Sequence, residues 1–256
     1  MFDRRSLLFA FALALAAAAP SAWSQHTLRI AAAADLQPLL PPVISAFQEQ
    51  TGVTVQASYK SSATLATEII NGAPFDLFLA ADLSFPQRVI DAGKAEEAKP
   101  EPYAQGTLVL WTRNDSGVEA LSLGGLRSPE VRSIAIANAE HAPYGRAAQA
   151  ALEHEQLLDA LRPKLVIAEN IAQAAQYADS GNAQAGFISL TSALTPRLQA
   201  DGHFIRVPAD DYPPILQGGV VVRDSANAAA ARKFLEFLRT PAISRILAER
   251  GLEPIH

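Results

Sequence analysis

Tyr59-Lys60-Ser61-Ser62-Ala63-Thr64-Leu65, continuing through Asn71-Gly72-Ala73-Pro74-Phe75-Asp76 to Leu77-Phe78-Leu79-Ala80-Ala81-Asp82, decides how the rest of the chain is read. An alternating run over residues 53–57 precedes it and reads as a strand. A helix follows the hydroxyl cluster and stops at Asn71-Gly72, and residues 76–80 form the next apolar strand. Strand, helix and strand in so short a span are the unit of a parallel sheet. Ser61, Ser62 and Thr64 stand where the strand ends and the helix begins. Their hydroxyls and the unpaired N–H groups of a first helical turn can converge on one anion. The same residues also serve as simple N-caps.

The same rhythm runs outward from there. Residues 28–34 read as the first strand and 36–50 as the first helix, with Pro38, Pro41 and Pro42 crowding its first turns and Gly52 as its stop. A helix over 84–92 ends at Gly93. Lys, Glu and Pro then dominate up to Gly106, and a new strand is expected over 107–111. A second series follows: strand 133–137, helix 145–155, strand 165–168, helix 171–180 and strand 185–189. Asp211-Tyr212-Pro213-Pro214 leads to an apolar strand over 216–222, and helices over 227–239 and 242–250 close the chain. The expected fold is α/β, with two lobes that each hold a mostly parallel sheet flanked by helices. Residues 25–105 with 216–256 make one lobe and 106–215 the other.

Residues 1–24 read as a secretory signal, with Arg4-Arg5, an uncharged run over 7–19 and small residues in Ala22-Trp23-Ser24. Neither that run nor any later one reaches the roughly 20 residues needed to span a bilayer. The chain contains no cysteine, which removes disulfides, thiolate metal sites, cysteine nucleophiles and a lipid-modified N-terminal Cys. A free periplasmic protein is the expectation. The composition, 49% hydrophobic and 18% charged, suits a packed core rather than disorder. The net charge is −5, and the mature chain carries −6 because Asp3, Arg4 and Arg5 leave with a net +1. That balance opposes nucleic acid or an anionic membrane as partner.

Ligands of open α/β sheets bind beyond the carboxyl ends of the strands, against helix N-termini. Five junctions qualify: Ala34-Asp35, residues 60–64, Pro143-Tyr144-Gly145, Glu169-Asn170-Ile171 and Ser189-Leu190-Thr191. Catalytic and nucleotide motifs are missing, including Gly-x-Ser-x-Gly, Walker-type loops, Gly-x-Gly-x-x-Gly and His-Glu-x-x-His, so no enzyme is expected. His141 reads as a capping or packing residue. Asp210-Asp211 reads as a solvated turn and His154 as a side chain pointing to water.

Four ordered segments carry a resemblance across the mature chain: Ala32-Ala33-Ala34-Asp35-Leu36, Ser61-Ser62-x-Thr64-Leu65, Gly72-Ala73-Pro74-x-Asp76-Leu77-Phe78-x-x-Ala81-Asp82, and Glu140-His141-Ala142-Pro143-Tyr144-Gly145. Together they resemble the periplasmic molybdate-binding proteins of ABC importers. The resemblance implies a type II periplasmic-binding fold that closes between two lobes on molybdate or tungstate. It also implies a membrane permease as partner, a monomeric receptor, and neither catalysis nor a bound cofactor or cation site. Its oxyanion contacts fall on Asp35, Ser62, Tyr144, the N–H of Ile171, and Ser189. Neutral donors suit a dianion that offers only acceptors, and cavity size would separate molybdate from the smaller sulfate. A receptor for another tetrahedral oxyanion such as sulfate, a secreted enzyme on the same scaffold, and the effector module of a regulator are the alternatives.

Two positions depart from the family pattern. Some members have Tyr where this chain has Ser189, and Tyr144 can supply that phenol from another junction. Many have Ser or Asn where this chain has Asp35, and an ionised carboxylate has no proton to donate. A carboxylate against a dianion at ~4 Å costs about 8 kcal/mol at an effective dielectric of ~20, most of the roughly 12 kcal/mol in a nanomolar site. The expectation is therefore that Asp35 turns away, capping its helix or pairing with Lys60 or Arg146, and offers only its backbone N–H.

Overall fold

The computed structural model describes residues 27–118 and 121–255; the expected signal at 1–24 lies outside them. Strand β1 (Leu28–Ala33) is followed by a 3-10 turn at Ala34–Leu36, helix α1 (Leu40–Thr51), β2 (Val55–Lys60), α2 (Ser62–Ile70), β3 (Leu77–Ala80), α3 (Ser84–Asp91) and β4 (Glu101–Gly106). Next come β5 (Leu108–Arg113), β6 (Ile134–Ala137), α4 (Pro143–His154), the short α5 (Leu158–Leu161), β7 (Leu165–Ala168), α6 (Ile171–Asp179), β8 (Ala185–Ser189), α7 (Leu190–Ala193), α8 (Pro196–Asp201) and β9 (Gly202–Arg206). The chain closes with β10 (Ile215–Val221), α9 (Ala228–Leu238), α10 (Pro241–Glu249) and β11 (Leu252–Pro254).

The strands form two sheets, ordered β11-β4-β10-β3-β1-β2 and β7-β6-β8-β5-β9. Within each, the strands joined by helices pair in parallel: β1 with β2 and β3, and β6 with β7 and β8. The remaining pairings are antiparallel, β10 with β3 and β4, β11 with β4, and β5 with β8 and β9. Both sheets are therefore mixed, where strand-helix alternation alone suggests mostly parallel pairing. Apart from the C-terminal β11, the antiparallel strands flank the two places where the chain passes between sheets, at Thr107 and between β9 and β10.

Each sheet is buried on both faces. Leu28, Ile30, Leu77 and Leu79 pack under α1, α9 and α10, where the Phe47 and Phe234 rings meet edge-on at 4.9 Å. On the opposite face Ala31, Phe78 and Ala80 meet Leu65 and Ile69 of α2 and Val89 of α3. The second sheet sends Leu110, Ile134 and Phe187 against α4 on one side and Trp111 and Ile188 against Leu190 and Leu198 on the other. Such continuous apolar strands are what two covered faces require.

The first helix starts four residues later than its apolar pattern suggests. Pro38 has no N–H to offer, and the chain after β1 instead closes a tight turn, with Gln37 N–H donating to Ala34 O at 3.2 Å. Pro41 and Pro42 then fall inside the first turn of α1, where a missing donor costs nothing. Asp35 is thereby fixed in a rigid turn at the carboxyl end of β1.

Candidate functional site

Helices α2, α4 and α6 begin at the carboxyl ends of β2, β6 and β7, and their first residues line a common cavity. Ser62, Tyr144 and Ile171 line one small cavity together with Asp35 and Lys60. Its volume is about 10 Å³, on the scale of room for one water. Four of the five residues singled out from sequence thus come together, contributed by both sheets. Ser189 does not. Its hydroxyl caps α7, accepting from Ser192 N–H at 3.3 Å and bonding the Thr191 hydroxyl at 2.8 Å.

At the head of α2 the two serines divide their work. Ser61 is the N-cap, its Oγ accepting from Thr64 N–H at 3.2 Å. Removing it should cost about 1 kcal/mol. Ser61→Ala is accordingly expected to melt roughly 2–4 °C below wild type in a calorimetric scan. Ser62 Oγ instead accepts from Ala81 N–H at 3.1 Å, so its own proton remains to be donated. No basic side chain reaches the Ser62 hydroxyl among the described residues, and a serine nucleophile needs such a base. The neighbouring Ala63 N–H donates to His141 O at 3.2 Å, which ties α2 to the segment leading into α4.

The N–H groups of Ser62, Tyr144 and Ile171 have no protein partner among the described residues. First-turn amides of a helix are free by construction, and together they present partial positive charge without a cation. Asn170 fixes the third terminus by capping α6, its Oδ1 accepting from Gln173 N–H at 3.0 Å. Pro143 occupies the first turn of α4 and sets up its entry. Gly145 lets this helix sit on the end of β6, since a Cβ there would lie 2.2 Å from Ala137 O.

Asp35 is placed differently from the expectation. It neither caps a helix nor meets Lys60 or Arg146, which pair with Glu68 and Asp82 respectively, each at 2.5 Å. Its side chain is completely buried, and Oδ2 accepts from the Tyr144 hydroxyl at 3.2 Å and from Gln217 Nε2. Gln217 is oriented in turn by Tyr103, whose hydroxyl donates to Oε1 at 2.9 Å. The Asp35 carbonyl accepts from the Thr191 hydroxyl at 2.7 Å. Oδ1 has no partner among the described residues. Burial pushes the carboxyl up to about 6, against the opposing pull of the bonds from Gln217 and Tyr144. Burial also holds the Tyr103 and Tyr144 hydroxyls well above their ordinary range, with the Asp35 charge adding to it, so both remain protonated donors.

Gln217 and Tyr103 lie outside every junction that sequence pattern picks out, while Thr191 belongs to the last of them. Gln217 sits in an apolar strand and Tyr103 in a segment without a strand pattern, so nothing local marked either. Asp211 is a second correction. It is buried rather than solvated, and His154 reaches it, with Nδ1 3.1 Å from Oδ1. A larger open hollow of about 430 Å³ lies elsewhere, lined by Arg29, Lys94, Arg223 and Asp76 among others. Asp76 is committed there to Arg29 N–H, Ser225 Oγ and Asn227 Nδ2.

Over residues 28–253 the sequence matches the family model described as bacterial extracellular solute-binding protein. The chain belongs to that family. Its relatives include the molybdate-binding protein ModA of Rhodobacter capsulatus, 34% identical over 242 residues that cover 94% of this chain and 93% of that protein. The ModA of Azotobacter vinelandii is 32% identical, covering 88% of each chain. Among solved structures, the Azotobacter vinelandii periplasmic molybdate-binding protein superposes with a TM-score of 0.83 at 31% identity, over 90% of this chain and 100% of that one. The sulfate-binding protein SubI of Mycobacterium tuberculosis gives 0.74 over 90% of this chain and 87% of its own, but at 18% identity the likeness is one of fold. The solute-binding family accounts for the two mixed sheets flanked by helices.

Proposed function

We propose that the chain is the extracytoplasmic receptor of an ABC importer and captures molybdate, or the similarly sized tungstate, for delivery to a membrane permease. The observation that carries this reading is the convergence of three helix N-termini, with the free proton of the Ser62 hydroxyl, on one cavity that no cation lines unpaired. A tetrahedral dianion needs donors from all sides, and N–H and O–H groups supply them without the bulk of an arginine. The molybdate-binding relatives cover nearly the whole chain at over 30% identity and support the same ligand.

In this reading Ser62 donates its hydroxyl proton and N–H, Ile171 its N–H, and Tyr144 and Asp35 close the opposite wall. Ser189 supports the site indirectly by holding Thr191, which anchors the Asp35 carbonyl. Residues 25–105 with 216–256 and residues 106–215 form the two lobes, which part to admit the anion and close over it. The receptor works as a monomer, free in the periplasm after removal of residues 1–24. No lipid anchor is required, in keeping with a sequence that lacks cysteine.

Thermal melting tests the ligand class. Molybdate at ~1,000 times its dissociation constant adds about 4.1 kcal/mol of stability, which for a chain of this size raises the melting temperature by roughly 8–16 °C. Tungstate should do the same, and sulfate and phosphate at equal concentration should raise it far less. A large shift with sulfate and none with molybdate would overturn the assignment.

A further inference from the structure

Asp35 is one of the residues around the oxyanion cavity, and its buried carboxyl has one oxygen saturated and the other free. Oδ2 receives two donors, and their direction is settled by the groups behind them. Tyr103 can only donate to Gln217 Oε1, so the Gln217 amide must turn Nε2 toward Asp35. Any proton on this carboxyl therefore resides on Oδ1, which is buried and unpartnered among the described residues. Ionised, Oδ1 is a buried acceptor with nothing to accept. Protonated, it is a donor that still needs an acceptor, and a bound oxyanion is made of acceptors.

We propose that Asp35 is a proton-carrying, specificity-determining residue of the site: anion capture draws one proton onto Oδ1, which then donates a hydrogen bond to a ligand oxygen. This rests on the oxyanion reading above. The balance is one carboxylate, one solvent proton and one dianion giving a carboxylic acid hydrogen-bonded to the dianion, with no other bond made or broken. No charge from neighbouring elements does the same work. Facing Asp35 are Tyr144 of α4, Tyr103 of β4, Gln217 of β10 and, at the carbonyl, Thr191 of α7. Lys60, at the end of β2, is engaged with Glu68, and Arg146 with Asp82. Burial already lifts the carboxyl to about 6 and keeps both tyrosines neutral, so Asp35 is the group that changes state near neutrality. The bound anion raises it further. Because the complex then holds one more proton than the free protein, affinity is complete below the free-protein value and declines as pH rises through it.

Calorimetric titration of the mature protein with molybdate, from about pH 5.5 to about pH 8.5 in two buffers of different ionisation heat, reads both the affinity and the proton count. The expected result is a dissociation constant that rises about tenfold per pH unit above roughly pH 6.5, with uptake approaching one proton per anion. Asp35→Asn keeps an acceptor for Tyr144 and Gln217 and offers a permanent N–H donor, so its affinity should be independent of pH. Ser62→Ala should bind more weakly at every pH but retain the slope, since it leaves the titrating group in place. Should Asp35→Asn fail to fold, the wild-type proton count decides alone. A flat wild-type profile with no proton uptake, or a slope that survives in Asp35→Asn, overturns the inference while leaving the receptor reading intact. Failure of the wild type to bind any tetrahedral oxyanion at any pH overturns both.

Discussion

Replacing Ser62 with Ala is expected to weaken molybdate binding by roughly 10- to 100-fold. The hydroxyl accepts from Ala81 N–H, which pins its oxygen and leaves its proton as the group presented to the cavity. A hydrogen bond to a charged partner contributes about 1.5–3 kcal/mol, and each 1.4 kcal/mol is tenfold in affinity. The substitution also strands the Ala81 amide at the end of β3, a buried donor whose loss of a partner costs about 1–3 kcal/mol of stability. Ser62→Ala should therefore melt lower as well as bind weakly. Ser61→Ala, one residue away, should lose a cap while keeping most of its affinity. Titration of both variants separates the roles. A change of less than about threefold for Ser62→Ala would remove its hydroxyl from the site, since even the weak end of the charged range predicts more.

Gly106→Ala carries the second large effect, although Gly106 makes no side-chain contact of its own. A Cβ at this position would sit 2.1 Å from the Tyr144 hydroxyl oxygen and 2.9 Å from Cζ, with Ile215 Cγ2 at 3.3 Å behind. Tyr144 is buried and its hydroxyl is held by Asp35, so the ring cannot swing freely to make room. Either the ring leaves the cavity wall or the backbone shifts where β4 hands the chain to β5. Overpacking of this kind costs about 1–3 kcal/mol, or roughly 2–12 °C in melting temperature. Displacing the Tyr144 ring from the cavity wall should also lower molybdate affinity in a calorimetric titration, because the wall that closes on the anion is then out of place. Wild-type melting and wild-type affinity in this variant would mean that Tyr144 is not held where the geometry puts it.

Local pattern revealed most of the strands and helices because each pairs an apolar run with a recognisable stop. Residues 165–168 and 185–189 coincide with β7 and β8, and the junction at Ser61-Ser62 lies where the hydroxyls suggested. What escaped was structure made by distant partners. Strand β4 contains two prolyl- and glutamyl-flavoured positions, Glu101 and Pro102, and few apolar ones. It is a strand because β10 and β11 flank it. The short β9 and β11 are edge strands with the same origin. At the site, the helix-terminus donors were legible because strand-helix junctions can be counted along the chain. The polar lattice around Asp35 was not, because Tyr103 lies 114 residues from Gln217, and Gln217 lies 182 residues from Asp35.

Asp35 shows how an energetic argument can be right about a cost and wrong about its remedy. Placing a carboxylate beside a dianion is unfavourable, and turning the side chain outward would avoid that. The fold instead keeps it inside, gives it two neutral donors on one oxygen, and raises its affinity for a proton by burial. A protonated carboxyl presents a hydrogen just as an amide or a hydroxyl does. Only the first makes that hydrogen conditional on pH.

The central claim is that neutral donors from both sheets hold a molybdate-sized oxyanion, and direct calorimetric titration near neutral pH tests it. The account predicts saturable binding of one molybdate or tungstate per chain, with sulfate and phosphate weaker by orders of magnitude. Saturable sulfate binding with no heat from molybdate or tungstate would contradict it.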